Sequence, residues 1–111
     1  MHELAITEQI LKLAVEKAND AGAKKVTRVS LVVGELSGVA PECVQFYFEF
    51  LRHDSIAGEA TLSFAPVAAR LRCRDCAAEF SPEAIWVCPK CQGRNISIAA
   101  GRECHLESIE V

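Results

Sequence analysis

The sequence has few aromatic residues, no excess of positive charge and no long hydrophobic run. Phe, Trp and Tyr make up 6% of the 111 residues, which leaves little material for a platform that stacks single-stranded bases. The formal net charge of −3 disfavours a general nucleic-acid binder, since such a protein needs a basic face to neutralise phosphates. Every apolar run is shorter than a membrane span requires. We therefore expect no nucleic-acid partner and no membrane-spanning segment.

The sequence shows no internal repeat, no low-complexity segment and no signal-peptide pattern. The N-terminus, Met-His-Glu-Leu, has neither the basic region nor the apolar segment of a signal peptide. We therefore expect a small, soluble, cytoplasmic protein whose thiols stay reduced. Half of the residues are hydrophobic, and the length suits one ordinary domain, or a small domain with a metal-held module.

Two Cys-x-x-Cys pairs form the strongest motif in the chain. Cys73 and Cys76 make the first pair, eleven residues follow, and Cys88 and Cys91 make the second. Each pair predicts a tight turn whose two sulfurs point the same way, so two facing turns offer zinc a tetrahedron of thiolates. A pair of disulfides is the alternative, which a reducing compartment disfavours. Four thiolates leave no open position for water, so we expect a structural Zn(II) site that does no chemistry itself.

Hydrophobic periodicity around this motif predicts an α+β fold. Residues 4–21 have helical spacing and lead to Gly22 as a C-terminal cap, and a second helix begins at Pro41 and runs to about Arg52. Alternating or extended patterns predict strands at residues 26–33, 60–66, 67–72 and 102–111. The last strand should return to the first sheet, because alone it would leave two unpaired edges. We expect a small mixed sheet of about three strands with two helices, plus an inserted zinc-ribbon module.

This order of elements predicts two units. Residues 1–69 and 99–111 would form an α/β domain that includes the N-terminus, and residues 70–98 would form the zinc ribbon. Short strands are expected at residues 77–80 and 85–87, with Trp86 packed beside the metal and the chain leaving the ribbon after Asn95. The alternation of the terminal strand is imperfect, which a bulge or burial on both faces would explain.

The second helix carries most of the aromatic side chains of the chain. Phe46, Tyr47, Phe48 and Phe50 follow one another closely, so this helix is expected to supply the bulk of the core. Cys43 lies on the same helix. A free cysteine outside a metal motif is most simply interpreted as a buried small hydrophobe.

The first three residues, Met1, His2 and Glu3, offer a chelating group of a different kind. The terminal amine, the ionised amide nitrogen of His2 and the His2 Nδ1 atom can close two fused rings on one metal ion. A planar set of nitrogens suits Ni(II) or Cu(II) better than zinc. Glu3 can add an amide nitrogen or a carboxylate. On this chemistry alone, a solvated and inert histidine stays the ordinary alternative.

Taken together, these segments resemble the HypA/HybF family of hydrogenase maturation factors. The resemblance is carried by Met-His-Glu-Leu at residues 1–4, Gly-Glu-Leu-Ser-Gly-Val at residues 34–39 and the aromatic run at residues 46–50. The four-cysteine ribbon and the terminal Glu-Ser-Ile-Glu-Val at residues 107–111 complete it. The resemblance covers essentially the whole chain. The Met-His-Glu start and the ribbon are specific in combination, in a chain this short.

The resemblance implies a nickel metallochaperone and no enzyme. In that family the N-terminal histidine and the residues beside it bind Ni(II), while the ribbon binds structural zinc. Carried over by position, His2 is the essential nickel ligand, Met1 gives its amine and Glu3 its amide or carboxylate. The implied partners are the nickel-binding GTPase HypB and the large subunit of [NiFe]-hydrogenase. Monomer and homodimer both stay open.

One position departs from the family pattern, and the remaining nickel ligands stay open. Some members carry an acidic residue just after the Gly-Glu-x-Ser-Gly stretch, whereas residues 39–41 are Val-Ala-Pro here and Glu42 is the nearest carboxylate. His53 and His105 are further candidates. The rival function is a zinc-ribbon adaptor that docks proteins or nucleic acid without nickel. A zinc hydrolase is disfavoured, because four thiolates saturate the metal.

Overall fold

The computed structural model describes residues 3–111, so Met1 and His2 lie outside the described residues. Two helices, α1 (Glu3–Asp20) and α2 (Pro41–Leu51), precede a 3-10 turn at Arg52–Asp54. The strands are β1 (Arg28–Gly34), β2 (Thr61–Val67), β3 (Arg70–Cys73), β4 (Glu79–Phe80), β5 (Ile96–Ala100) and β6 (Cys104–Glu110). They form two separate three-stranded sheets. Within residues 3–111, none of the helices is both long enough and apolar enough to cross a membrane.

The first sheet has the strand order β2-β1-β6. β1 pairs with β2 in parallel and with β6 antiparallel, so the sheet is mixed. The parallel pair is joined through α2, as a parallel crossover requires. This arrangement confirms the expected small mixed sheet, two helices and the return of the terminal strand.

A bulge explains the imperfect alternation of β6. Ser30 pairs with Ser108 and the next residue, Leu31, pairs with Leu106, so Glu107 is the extra residue of β6. An extra residue reverses the side-chain alternation from that point. Leu106 and Ile109 therefore both pack against the core, although three positions separate them. Of the two sequence-based explanations, the bulge is the one that the structure supports.

Helix α1 packs one face on the sheet and ends at a glycine cap. Thr7, Ile10, Ala14 and Ala18 form its buried face. At its end the amide of Ala23 donates to the carbonyl of Ala18 over 2.9 Å, and that of Gly22 donates to Asn19 over 3.0 Å. Gly22 has a φ of 72°. This is the Schellman pattern, and it confirms the predicted cap.

Helix α2 corrects two expectations. Only Val44 and Phe48 are buried on it, whereas Phe46 and Phe50 are exposed. The expectation that α2 supplies the bulk of the core was therefore wrong. An aromatic run points its side chains all round the helix, but α2 packs on α1 and the sheet with one side only. Cys43 lies on the outer side and is exposed, so its interpretation as a buried hydrophobe was also wrong.

The second sheet, in the order β4-β3-β5, also corrects the sequence analysis. Residues 85–87 form no strand, Trp86 is exposed, and the second partner of β3 is β5 instead. β3 leads into the first Cys-x-x-Cys pair and β5 follows the second. Because the two pairs face each other, the segments that flank them run side by side, and Cys73 pairs with Ile96.

Two chain segments connect the sheets, and both pass the end of β1. The amide of Gly34 donates to the carbonyl of Glu103 over 2.6 Å, and that of Leu36 donates to Gly101 over 2.7 Å. A Cβ atom on Gly34 would lie 2.1 Å from the Gly101 oxygen, so only glycine permits this approach. The molecule is elongated, with extents of 55 × 25 × 17 Å. The division into residues 1–69 with 99–111 and residues 70–98 stays a prediction.

Candidate metal centre

The two Cys-x-x-Cys pairs form turns with the same backbone hydrogen bonds. In the first turn the amide of Ala77 donates to the carbonyl of Cys73 over 2.9 Å, and the amide of Cys73 donates to Ala78 over 2.9 Å. In the second turn Gln92 donates to Cys88, and Cys88 donates to Gly93, again over 2.9 Å each. The same fold of the backbone therefore occurs at both pairs and presents both sulfurs of a pair on one side.

Each turn is completed by a residue in the left-handed region. Ala77 and Gln92, each one position after the second cysteine of its pair, both have a φ of 64°. This region is costly for residues with a Cβ atom, about 1–2 kcal/mol each, and glycine is its usual occupant. Each of the two turns therefore contains one residue whose backbone conformation is unfavourable in free energy.

The turns bring four sulfur atoms together. The Sγ atoms of Cys73, Cys76, Cys88 and Cys91 all lie within 4.8 Å of one another. Sγ of Cys73 lies 3.5 Å from that of Cys91, and the Cys76 and Cys88 sulfurs are also 3.5 Å apart. A zinc ion with Zn–S bonds of about 2.3 Å requires sulfur separations of about 3.8 Å in a tetrahedron. The donor set and its size therefore fit Zn(II).

The cysteines are free thiols, and at Cys91 the contacts with other thiols oppose ionisation. All six cysteines lie in the described part of the chain, and all six are unbridged. The backbone amide of Cys91 approaches the Cys88 sulfur at 3.5 Å and lowers the pKa of Cys88 to about 7. The backbone amide of Gly93 acts to lower the pKa of Cys91, but hydrogen bonding with Cys73 and Cys88 outweighs it and raises that pKa to about 12. A divalent cation removes this opposition, because it stabilises all four thiolates together.

The second turn leaves little room for a side chain at Gly93, beside the sulfur of Cys91. A Cβ atom on Gly93 would lie 3.2 Å from Sγ of Cys91 and 3.2 Å from Oδ2 of Asp75. The other oxygen of Asp75, Oδ1, accepts a hydrogen bond from Nδ2 of Asn95 at 3.4 Å. This contact ties the first turn to the segment that follows the second. The backbone bond from Arg74 to the carbonyl of Asn95, at 2.8 Å, reinforces it.

The N-terminus that we expect to bind nickel is described from Glu3 onward, and the predicted ligands Met1 and His2 lie outside the described residues. Glu3 is the first residue of α1. Its Oε2 atom accepts a hydrogen bond from the backbone amide of Ala40 at 3.2 Å, and its carbonyl accepts one from Thr7 Oγ1 at 2.6 Å. The Ala40 amide is a partner that no sequence motif indicates, since Ala40 has no side-chain group to signal a cap.

The three other candidate ligands lie on different elements. Glu42 is exposed in the first turn of α2, two residues after Ala40. His53 is exposed in the 3-10 turn at the far end of that helix. His105 is exposed on β6 and lines an open groove of about 440 Å³ whose α1 wall includes Ile6. Among residues 3–111, the four cysteines form the one cluster of three or more potential ligand side chains.

Comparison with known proteins gives one consistent result. The sequence model of a family described as "Hydrogenase/urease nickel incorporation, metallochaperone, hypA" matches residues 1–111. The chain is 48% identical to the hydrogenase maturation factor HypA of Dehalococcoides mccartyi strain CBDB1, covering 100% of this chain and 94% of that protein. It is 40% identical to that of Caldanaerobacter subterraneus subsp. tengcongensis, covering 100% and 99%.

A solved structure has the same fold. The solution structure of the Ni metallochaperone HypA from Helicobacter pylori superposes with a TM-score of 0.71 at 33% identity, covering 99% of this chain and 97% of that one. Sequence, fold and the four-sulfur cluster thus agree over the full length. The chain belongs to the HypA family of metallochaperones, which serve nickel incorporation in hydrogenase maturation.

Proposed function

We propose that this protein binds Ni(II) at its N-terminus and helps to insert it into the large subunit of [NiFe]-hydrogenase. The observation that carries this proposal is the division of donor atoms between two places. The four cysteines form a closed zinc-sized cluster, whereas in the sequence the nitrogen donors of Met1 and His2 come directly before Glu3, the first residue of α1. Soft thiolates keep zinc, and a planar set of nitrogens prefers nickel. Membership of a nickel-incorporation family supports nickel as the cargo.

The zinc ion has a structural role in this proposal. Cys73, Cys76, Cys88 and Cys91 are its ligands, and bound zinc would hold the two turns face to face. The second sheet has only three short strands, so it depends on a crosslink that apolar burial cannot replace. Structural zinc supplies about 10–16 kcal/mol of apparent binding energy in small modules. Saturation by four thiolates also argues that the protein is not an enzyme.

Nickel is the cargo, and its site is built for transfer. We assign the Met1 amine, the amide and imidazole nitrogens of His2, and the amide of Glu3 as its ligands. The Glu3 carboxylate holds the Ala40 amide, so it ties the helix start to the loop before α2. A site at a chain end has few rigid neighbours, which allows a partner to replace the ligands one at a time. HypB and the hydrogenase large subunit are the proposed partners, in the cytoplasm.

The test of the nickel site is a titration of nickel into tagless protein with its native terminus. Wild type is expected to bind one exchangeable nickel per chain, and His2→Ala is expected to lose it while keeping zinc. His53→Ala tests whether this further candidate, exposed in the 3-10 turn, takes part; it should leave nickel binding unchanged, because all the proposed ligands lie in residues 1–3. Unchanged nickel binding in His2→Ala would remove the site assignment. A one-residue N-terminal extension should also weaken nickel binding, since it displaces the amine from the chelate.

A further inference from the structure

The outer side of α2 presents aromatic side chains that the core does not use. Phe46 is 67% exposed and Phe50 is 75% exposed, while Val44 and Phe48 on the inner side are fully buried. The Phe46 ring packs edge-to-face on Tyr47, with centroids 5.4 Å apart and planes at 75°. Exposed aromatic clusters of this kind are typical of binding surfaces. We call Phe46, Tyr47 and Phe50 the aromatic face.

An apolar groove runs beside the aromatic face, between the two helices. It has a volume of about 310 Å³, and its apolar lining comes from Leu11 and Val15 of α1 and Leu51 of α2. Leu51 lies one helical turn after Tyr47 on the same side of α2, so the groove adjoins the aromatic face at Tyr47. Two helices with a groove between them offer the geometry that receives an amphipathic helix, whereas a strand would need an unpaired sheet edge.

The surroundings of this surface are acidic. Glu42 and Glu49 lie on the exposed side of α2, and Gln45 Nε2 donates to Glu49 Oε1 at 3.0 Å. Glu8 and Glu16 line the groove on α1, where Lys12 is the one basic side chain that lines it. Carboxylates around an apolar centre favour a partner with positive charges at its rim. A second copy of this chain would instead bring two acidic rims together.

We propose that the aromatic face and the adjacent groove bind an amphipathic helical segment of a partner protein that carries Lys or Arg beside its apolar side chains. Phe46 and Phe50 act as anchors between the apolar side chains of that segment. Glu42, Glu49 and the α1 carboxylates face its basic side chains. This surface shares no residue with the zinc cluster or with the nickel ligands proposed in residues 1–3, so its test is independent of both metal assignments.

The proposal is tested with a labelled helical peptide of about 18 residues, with leucines at helical spacing and lysines elsewhere, by fluorescence anisotropy. A second peptide has glutamates in place of the lysines. We expect the zinc-loaded protein to bind the lysine peptide at least about tenfold more tightly than the glutamate peptide. The double variant Phe46→Ser/Phe50→Ser should weaken lysine-peptide binding by at least about tenfold. Ile85→Ser, which replaces an apolar residue that is 69% exposed between the two Cys-x-x-Cys pairs, should leave lysine-peptide binding unchanged.

Further variants and measurements separate the proposal from its alternatives. Charge reversal by Glu42→Lys/Glu49→Lys should shift the preference toward the glutamate peptide, and amide chemical-shift changes should cluster on α1 and α2. Equal affinity for both peptides, or unchanged binding by the double phenylalanine variant, would overturn the proposal. Analytical ultracentrifugation tests whether a second copy of this chain covers the surface instead. Self-association of the wild type that the double variant abolishes would mean that a second copy covers this surface, and the proposal would be wrong.

Discussion

Replacing the left-handed residues of the two metal turns with glycine should strengthen zinc binding. Ala77 and Gln92 each hold a φ of 64° in structurally equivalent positions. This conformation costs a residue with a Cβ atom about 1–2 kcal/mol, and glycine avoids that cost but loses about 0.5–1 kcal/mol in backbone entropy. The difference between these ranges is about 0–1.5 kcal/mol, and its midpoint gives an expected net gain of about 0.75 kcal/mol for Ala77→Gly or Gln92→Gly.

Competition with a chromophoric chelator measures this gain, because folding of a small zinc module is coupled to binding its metal. Each single variant should hold zinc about two- to fivefold more tightly than the wild type. Ala100→Gly is the matched control, since Ala100 pairs with Arg70 in β5 of the same sheet and has no positive φ. The control should weaken zinc binding, by about 0.5–1 kcal/mol. Weaker zinc binding in all three variants would refute the reasoning about the turns.

Four other substitutions test the connection between the two sheets, the cap of α1 and the second metal turn. Gly34→Ala should destabilise the protein by at least about 3 kcal/mol in urea unfolding, because its Cβ would lie 2.1 Å from a backbone oxygen. The Cβ of Gly22→Ala would meet no atom within 4 Å, so this variant should cost only the strain of the left-handed backbone, about 1 kcal/mol. Gly93→Ala should weaken zinc retention against a chelator, since the new methyl lies 3.2 Å from a cysteine sulfur. The pKa of Glu103 is lowered by hydrogen bonds from backbone amides, first its own and then that of Gly101. The Glu103 carboxylate therefore contributes its full stabilisation above the ordinary pKa of 4.5, and this contribution is lost as the pH falls through the lowered pKa. Glu103→Gln should therefore lose less stability than the wild type between about pH 5 and pH 3; an equal loss would contradict this.

Local chemistry allowed much of the fold to be predicted from the sequence. Gly22 and Pro41 mark helix ends because of backbone properties that each residue carries wherever it stands. The two metal turns could also be predicted locally, because the Cys-x-x-Cys spacing is itself typical of such a turn. The return of β6 to the first sheet also followed from a general rule about unpaired edges.

The errors concern contacts between residues that are distant in sequence. Phe46 and Phe50 have the hydrophobicity of core residues, and only the one-sided packing of α2 leaves them exposed. β5 pairs with β3 because the metal turns face each other, and residues 85–87 have a similar apolar pattern without that placement. The contact between Glu3 and the Ala40 amide likewise depends on how the loop before α2 passes the helix start.

The most direct test of the central claim is a measurement of metal content combined with nickel titration on tagless protein. The account predicts one zinc that resists exchange and one nickel that exchanges readily. It also predicts that His2→Ala loses the nickel and keeps the zinc. One zinc without specific nickel binding in the wild type would contradict the account, and would leave a zinc-ribbon adaptor that shares the ancestry of the family but not its nickel-carrying activity.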